Sequence, residues 1–148
     1  MTFEEIKSLD EQYVMHSYGR FPVALDHGKG ATLWDVNGRE YIDFTAGIGV
    51  TALGHGDEGW LKAVTEQAGK LGHISNLFYT EPYARAARAL CQGAGMSNAM
   101  FANSGAEANE AMIKLARKWS FDKYGKGRGT VITLRNSFHG RTITTLSA

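Results

Sequence analysis

The chain is poor in cysteine and proline, has no long apolar run and carries almost no net charge, and each shortage removes a class of protein. Cys91 is the only cysteine in 148 residues, so no internal disulfide can form. Its neighbours Ala89, Leu90 and Gln92 continue a helical pattern with no histidine nearby, and it reads as a packing residue. Two prolines against 18 glycines describe a turn-rich globule rather than a disordered chain. With 16 basic and 15 acidic residues there is no charge excess to attract nucleic acid or an anionic membrane, and neither is expected as a partner. Apolar residues make up 43% of the chain but never run for the roughly 18 positions that a bilayer span needs. Met1 to Gly19 is acidic and polar rather than signal-like, so the expected location is the cytoplasm. His16, His27, His55 and His73 lack any metal-ligand spacing and read as structural or surface residues, with no metal expected.

Periodicity then supplies elements. Thr2 and Glu5 form a capping-box pattern ahead of Ile6, Leu9 and Tyr13, which predicts a first amphipathic helix. Thr32 to Val36 and Glu40 to Phe44 are β-prone runs around Asn37-Gly38, the strongest short signal for an antiparallel hairpin. A glycine-rich loop, Gly47 to Gly59, precedes a helix through Trp60, Val64, Ala68 and Leu71. Glu81-Pro82 opens another helix to about Gln92, with proline in the first turn where a missing N–H is harmless. From here the pattern becomes strand, helix, strand. Ala99 to Ala102 and Thr130 to Leu134 read as short buried strands, and the helix between them places Ala108, Met112, Leu115, Ala116 and Trp119 on its expected core face.

The most informative stretch is Asn103-Ser104-Gly105-Ala106-Glu107-Ala108-Asn109-Glu110, where apolar strand gives way to helix. The first amides of a helix have no intrahelical acceptor, and the helix dipole adds partial positive charge there, so backbone N–H groups alone can hold a phosphate. Gly105 lets an oxygen approach the backbone, while the Ser104 hydroxyl can either cap Glu107 or turn toward the anion. The run lacks the Lys-Ser/Thr end of a P-loop and the three-glycine spacing of a dinucleotide fingerprint, so the anion is something other than a common nucleotide. A second run, Ser137-Phe138-His139-Gly140-Arg141, combines an aromatic face, an imidazole, a close-approach glycine and a two-donor cation. Together they suit a flat phosphorylated cofactor and a carboxylate substrate.

These runs, with Tyr18-Gly19-Arg20-Phe21-Pro22-Val23, Leu33-Trp34-Asp35, Tyr41-Ile42-Asp43-Phe44 and Ser75-Asn76-Leu77-Phe78-Tyr79, follow one another as in the class III pyridoxal-phosphate aminotransferases, which the chain resembles over nearly its whole length. The resemblance implies an α/β chain. It is the N-terminal part of the fold type I aminotransferase, with a small hairpin-bearing segment over 1–95 and the start of the large, mostly parallel-sheet domain over 96–148. It further implies that Ser104, Gly105 and Ala106 hold the phosphate of pyridoxal 5′-phosphate, that Phe138 stacks on the ring with His139 in a supporting role, that Arg141 grips the substrate α-carboxylate, and that Tyr18 lines the substrate side.

Ile48 stands where ornithine-specific relatives carry tyrosine, which favours a capped side chain and hence N-acetylornithine as amino donor to 2-oxoglutarate. Ornithine, succinylornithine and other ω-amino compounds are the alternatives. A homodimer is the implied assembly. Gly54-His55-Gly56-Asp57-Glu58 departs from the family's His-Pro step. The family's Schiff-base lysine and the aspartate that faces the ring nitrogen correspond to positions beyond 148, and Lys7, Lys29, Lys62, Lys70, Lys114, Lys118, Lys123 and Lys126 lie outside that lysine's context. The chain is therefore expected to be part of a longer enzyme and inactive alone, or else a non-catalytic cofactor-binding or dimer-interacting remnant.

Overall fold

A computed structural model describes residues 1–148, which fall into two units, Met1–Ser75 and Asn76–Ala148. The first unit begins with α1 (Phe3–Tyr13), capped reciprocally: the Thr2 hydroxyl accepts the Glu5 N–H at 3.3 Å and the Glu5 carboxylate accepts the Thr2 N–H at 2.8 Å. Next comes an antiparallel sheet in the order β1 (Leu25–Lys29), β2 (Thr32–Asp35) and β3 (Glu40–Ile42). The expected hairpin is β2–β3. Strand β1 carries no alternating pattern, and its extended form comes from pairing with β2.

Only Gly38 of the Asn-Gly pair uses positive φ, at 80°. The Asp35 N–H donates to the Arg39 carbonyl at 3.0 Å and the Gly38 N–H to the Asp35 carbonyl at 2.9 Å, which makes a three-residue loop. The Asp35 carboxylate organises it, accepting the Asn37 and Arg39 amides at 2.9 Å each and the Tyr41 hydroxyl at 3.0 Å. The Arg39 amide is the largest cause holding the Asp35 carboxyl below its ordinary value.

A second carboxylate ends β3. Asp43 accepts the Thr45 amide and hydroxyl, the Ala46 amide and the His55 ring, the last at 2.8 Å. The enclosed loop contains α2 (Ala46–Gly49), a left-handed turn in which Ala46 (φ 46°) and Ile48 (φ 62°) occupy a conformation that disfavours any side chain. Its far end is joined to the sheet, because Gly30 and His55 exchange backbone hydrogen bonds at 2.9 and 2.8 Å. The His55 ring lies over Gly28, where a Cβ would stand 2.8 Å from it. Asp57 then caps α3 (Glu58–Lys70) by accepting the Trp60 N–H at 2.7 Å.

The second unit contains α4 (Glu81–Ala94), α5 (Gly105–Tyr124) and α6 (Ile143–Ser147). Tyr83 of α4 meets Phe101 edge-on at 4.9 Å. Residues 99–102 and 130–134 are not strands, contrary to the sequence reading. A strand exists only through its hydrogen-bonded neighbour, and neither segment has one here. The core face of α5 also differs. Met112, Leu115 and Trp119 are exposed, whereas Ile113 is buried. Ala106, Glu110, Ile113 and Arg117 recur at helical spacing on the face that meets residues 129–148.

The Asp43 hydrogen bonds, that to His55 first among them, hold its carboxyl well below the usual carboxylate range. Such a group stabilises the fold fully above the unfolded carboxyl value of about 4, and that contribution fades as pH falls from there through the depressed folded value. Asp43→Asn is expected to remove this acid-dependent component and to speed hydrogen exchange at the Thr45 and Ala46 amides; wild-type protection in the variant would contradict the role given to Asp43.

Candidate functional site

The second unit builds a site at the start of α5. Ser104 is the N-cap, its hydroxyl accepting the Glu107 N–H at 3.2 Å, while the Glu107 carboxylate reaches back to the Asn103 N–H at 2.6 Å. That leaves the amides of Gly105 and Ala106, which have no carbonyl one turn earlier in the helix. Nothing lies within 4 Å of the position a Cβ would take on Gly105, so the space over this turn is open.

The second motif is docked on the same turn. Gly140 is buried with φ 135°, and a Cβ there would lie 2.7 Å from the Ala106 Cβ, 3.0 Å from the Ala106 Cα and 2.5 Å from the Thr145 hydroxyl. Only glycine permits this approach. On one side of it the Asn109 amide donates to the His139 carbonyl at 2.6 Å; on the other the Thr142 hydroxyl donates to the Glu110 carboxylate at 2.6 Å. The Arg141 guanidinium carbon lies over the Phe138 ring, 5.4 Å from its centroid.

Six of the residues singled out from the sequence, Ser104, Gly105, Ala106, Phe138, His139 and Arg141, therefore share one unit and one end of α5. Phe138 is 76% exposed and its neighbour His139 half-buried. Tyr18 belongs to the first unit, where it is exposed and lines a cavity of about 610 Å³ with Phe3, Ile6, Asp10, His16 and Phe21. The sequence reading missed Asn109, Glu110, Thr142 and Thr145 as supports. Glu110 is not on the core face that periodicity predicts for α5, yet its carboxylate holds Thr142, and that hydrogen bond is the largest cause lowering its pKa. The available signal was the Thr142-x-x-Thr145 spacing, which forms a capping box at the start of α6.

A phosphate ester presents several acceptor oxygens and no donor. The Gly105 and Ala106 amides, the Ser104 hydroxyl and the open space above them fit that group, and an exposed aromatic ring with a guanidinium beside it suits a flat cofactor and a carboxylate. The fold is that of the pyridoxal-phosphate-dependent aminotransferases. It matches the ornithine aminotransferase of Toxoplasma gondii with a TM-score of 0.92 and 34% identity, over 100% of this chain and 35% of that one. It also matches the taurine:2-oxoglutarate aminotransferase of Bifidobacterium kashiwanohense, solved with PLP and glutamate, with a TM-score of 0.87 and 30% identity over 98% of this chain and 32% of that one.

Residues 13–148 match the class-III aminotransferase family, and the chain belongs to it. The acetylornithine aminotransferase of Haemophilus ducreyi is 57% identical over all 148 residues, and the chain spans 38% of that relative's length.

A Cβ from Gly140→Ala would clash with both Ala106 and Thr145, so residues 139–145 must shift away from α5. The substitution is expected to destabilise the docking of 139–145 on α5 by roughly 3 kcal/mol, from overpacking plus a disfavoured φ. An unchanged urea midpoint would show that this approach is not needed.

Proposed function

We propose that these residues form the phosphate- and carboxylate-gripping part of a pyridoxal-phosphate-dependent aminotransferase acting on N-acetylornithine and 2-oxoglutarate, with N-acetylglutamate semialdehyde and glutamate as products, in arginine biosynthesis. The observation that carries this reading is the close approach of Gly140 to Ala106, which makes one site of two motifs more than thirty residues apart. Backbone N–H groups of Gly105 and Ala106 and the Ser104 hydroxyl hold the phosphate, Phe138 offers its ring face, His139 supports the ring's surroundings, and Arg141 pairs with the substrate α-carboxylate through two parallel N–H donors. Bound there, the cofactor supplies an electron-withdrawing ring that drains negative charge from the amino-bearing carbon. The chain's own contribution is to fix phosphate, ring and carboxylate relative to one another.

The choice of donor rests on Ile48 and on the name of the Haemophilus relative. Ile48 is 95% exposed on its left-handed turn and presents an apolar surface suited to a capped amine; Tyr18 is assigned to the substrate side by family resemblance. Ornithine and succinylornithine are the runner-up donors. The working form is a cytoplasmic homodimer by the same resemblance, and no helix is long and apolar enough to cross a membrane.

A second reading, a non-catalytic cofactor-binding segment, is favoured for the 148 residues alone because none of their lysines stands in the context of the family's Schiff-base lysine. Amino-group transfer by the isolated chain separates the two readings.

The kinetic tests use the holoenzyme carrying these residues, made where necessary by exchanging them into the matched segment of the Haemophilus ducreyi relative. Arg141→Ala should raise KM for N-acetylornithine and for glutamate together, by about tenfold or more for loss of a charge-assisted pair; unchanged constants would remove Arg141 from the carboxylate site. Gly105→Val puts a branched side chain into the open space over the helix start, and cofactor retention through gel filtration should fall. Full retention would argue against the phosphate cradle.

A further inference from the structure

We infer that Glu110 is a positioning residue for Arg141, acting through Thr142: the carboxylate anchors the backbone next to the guanidinium to the same helix whose first turn receives the phosphate. The inference rests on the reading of Arg141 as the carboxylate-gripping residue, and it assigns a part to two side chains outside the phosphate and carboxylate contacts proposed above.

Glu110 lies one helical turn after Ala106 and just under one turn before Ile113, on the stripe of α5 that faces residues 129–148. Its side chain is 17% exposed, and a carboxylate is retained on such a face only where it is well paired. Its partners are specific. The Thr142 hydroxyl donates at 2.6 Å, Thr144 adds hydrogen bonds from its side chain and backbone, and the Lys114 ammonium lies 3.8 Å away. Thr142 is in turn tied to Thr145, which is only 2% exposed: the Thr142 N–H donates to the Thr145 hydroxyl at 3.1 Å, and the two hydroxyls lie 2.8 Å apart.

Arg141 thus stands between two anchored neighbours. Gly140 is wedged against Ala106, and Thr142 is bonded to Glu110. With its Cα held from both sides, the guanidinium is restricted in the directions it can take, and the distance from phosphate to carboxylate grip is set by the geometry of one helix. Such restriction matters because a misplaced binding group loses its advantage steeply with distance. An exposed charge on α5 would have no reason to face two hydroxyls.

The test is a set of variants in the same holoenzyme. Thr142→Val keeps the shape and removes the donor, Glu110→Ala removes the acceptor, and Thr142→Ser and Glu110→Gln keep the hydrogen bond. The expected result is a rise of about fivefold or more in KM for 2-oxoglutarate in the first two, with bound cofactor and kcat changed much less, and near wild-type KM in the second two. Thr142→Val should add nothing to KM once Arg141→Ala is present, the non-additivity expected of residues acting through one group.

If Thr142→Val and Glu110→Ala keep the wild-type KM while Arg141→Ala raises it, the positioning role is overturned and the carboxylate site stands. If they lose cofactor and thermal stability with no change in KM, Glu110 only supports the fold, and the inference is likewise overturned. If Arg141→Ala itself leaves KM unchanged, the functional reading fails and the inference fails with it.

Discussion

Backbone N–H groups that no helix or strand can satisfy need an acceptor, and in this chain carboxylates meet that need at one turn after another. Asp35 takes two amides of the hairpin loop, Asp43 two at the end of β3, Asp57 the first turn of α3, and Glu107 the amide ahead of α5. Each is a short-range capture by an ionised acceptor, stronger than its neutral equivalent. The left-handed turn at 46–49 shows why this matters. Ala46 and Ile48 do not adopt positive φ unaided, and the conformation persists between an Asp43 carboxylate at one end and a His55–Gly30 bridge at the other. The proposed phosphate site is the complement of the same rule, because at the start of α5 two amides have no carbonyl one turn earlier in the helix.

Two glycines serve this site by opposite means. At Gly105 the missing side chain leaves empty space, whereas at Gly140 it allows contact with a helix backbone. Exchanging those environments would abolish both functions, since a cradle must stay open and a docking point must close. Elsewhere apolar side chains lie uncovered, among them Phe44, Leu77, Leu115, Ile132 and Leu134. The chain spans 38% of the length of the Haemophilus relative, and the two segments that read as buried strands, 99–102 and 130–134, have no partner among these residues.

The elements legible in the sequence are those whose cause is local. Thr2 and Glu5, Asn37-Gly38, Glu81-Pro82 and Ser104 with Glu107 act within four residues of one another, so the helix starts and the hairpin appear where the residues announce them. Misreadings fall where the cause is distant. Strand β1 is extended because β2 lies beside it, and nothing in Leu25-Asp26-His27-Gly28-Lys29 says so. His55 is structural, one of the two roles read for it, but its partner Asp43 lies twelve residues earlier and no local spacing names it. On α5, periodicity identified an apolar stripe, but the contacts to 129–148 run along Ala106, Glu110, Ile113 and Arg117, two of them charged.

By itself the sequence determined the helix caps, the hairpin, the capped helix start at Ser104 and the family to which the motifs belong, because these depend on residue types at short spacing. Only the tertiary structure decided that Gly140 closes on Ala106, that Asn109 and Glu110 hold the residues on either side of that contact, and that Thr142 lies within reach of a carboxylate thirty-two residues earlier. Periodicity reports which residues share a face but not what that face meets; the identity of a partner across a loop depends on three-dimensional closure, and here that closure requires the absence of a single Cβ.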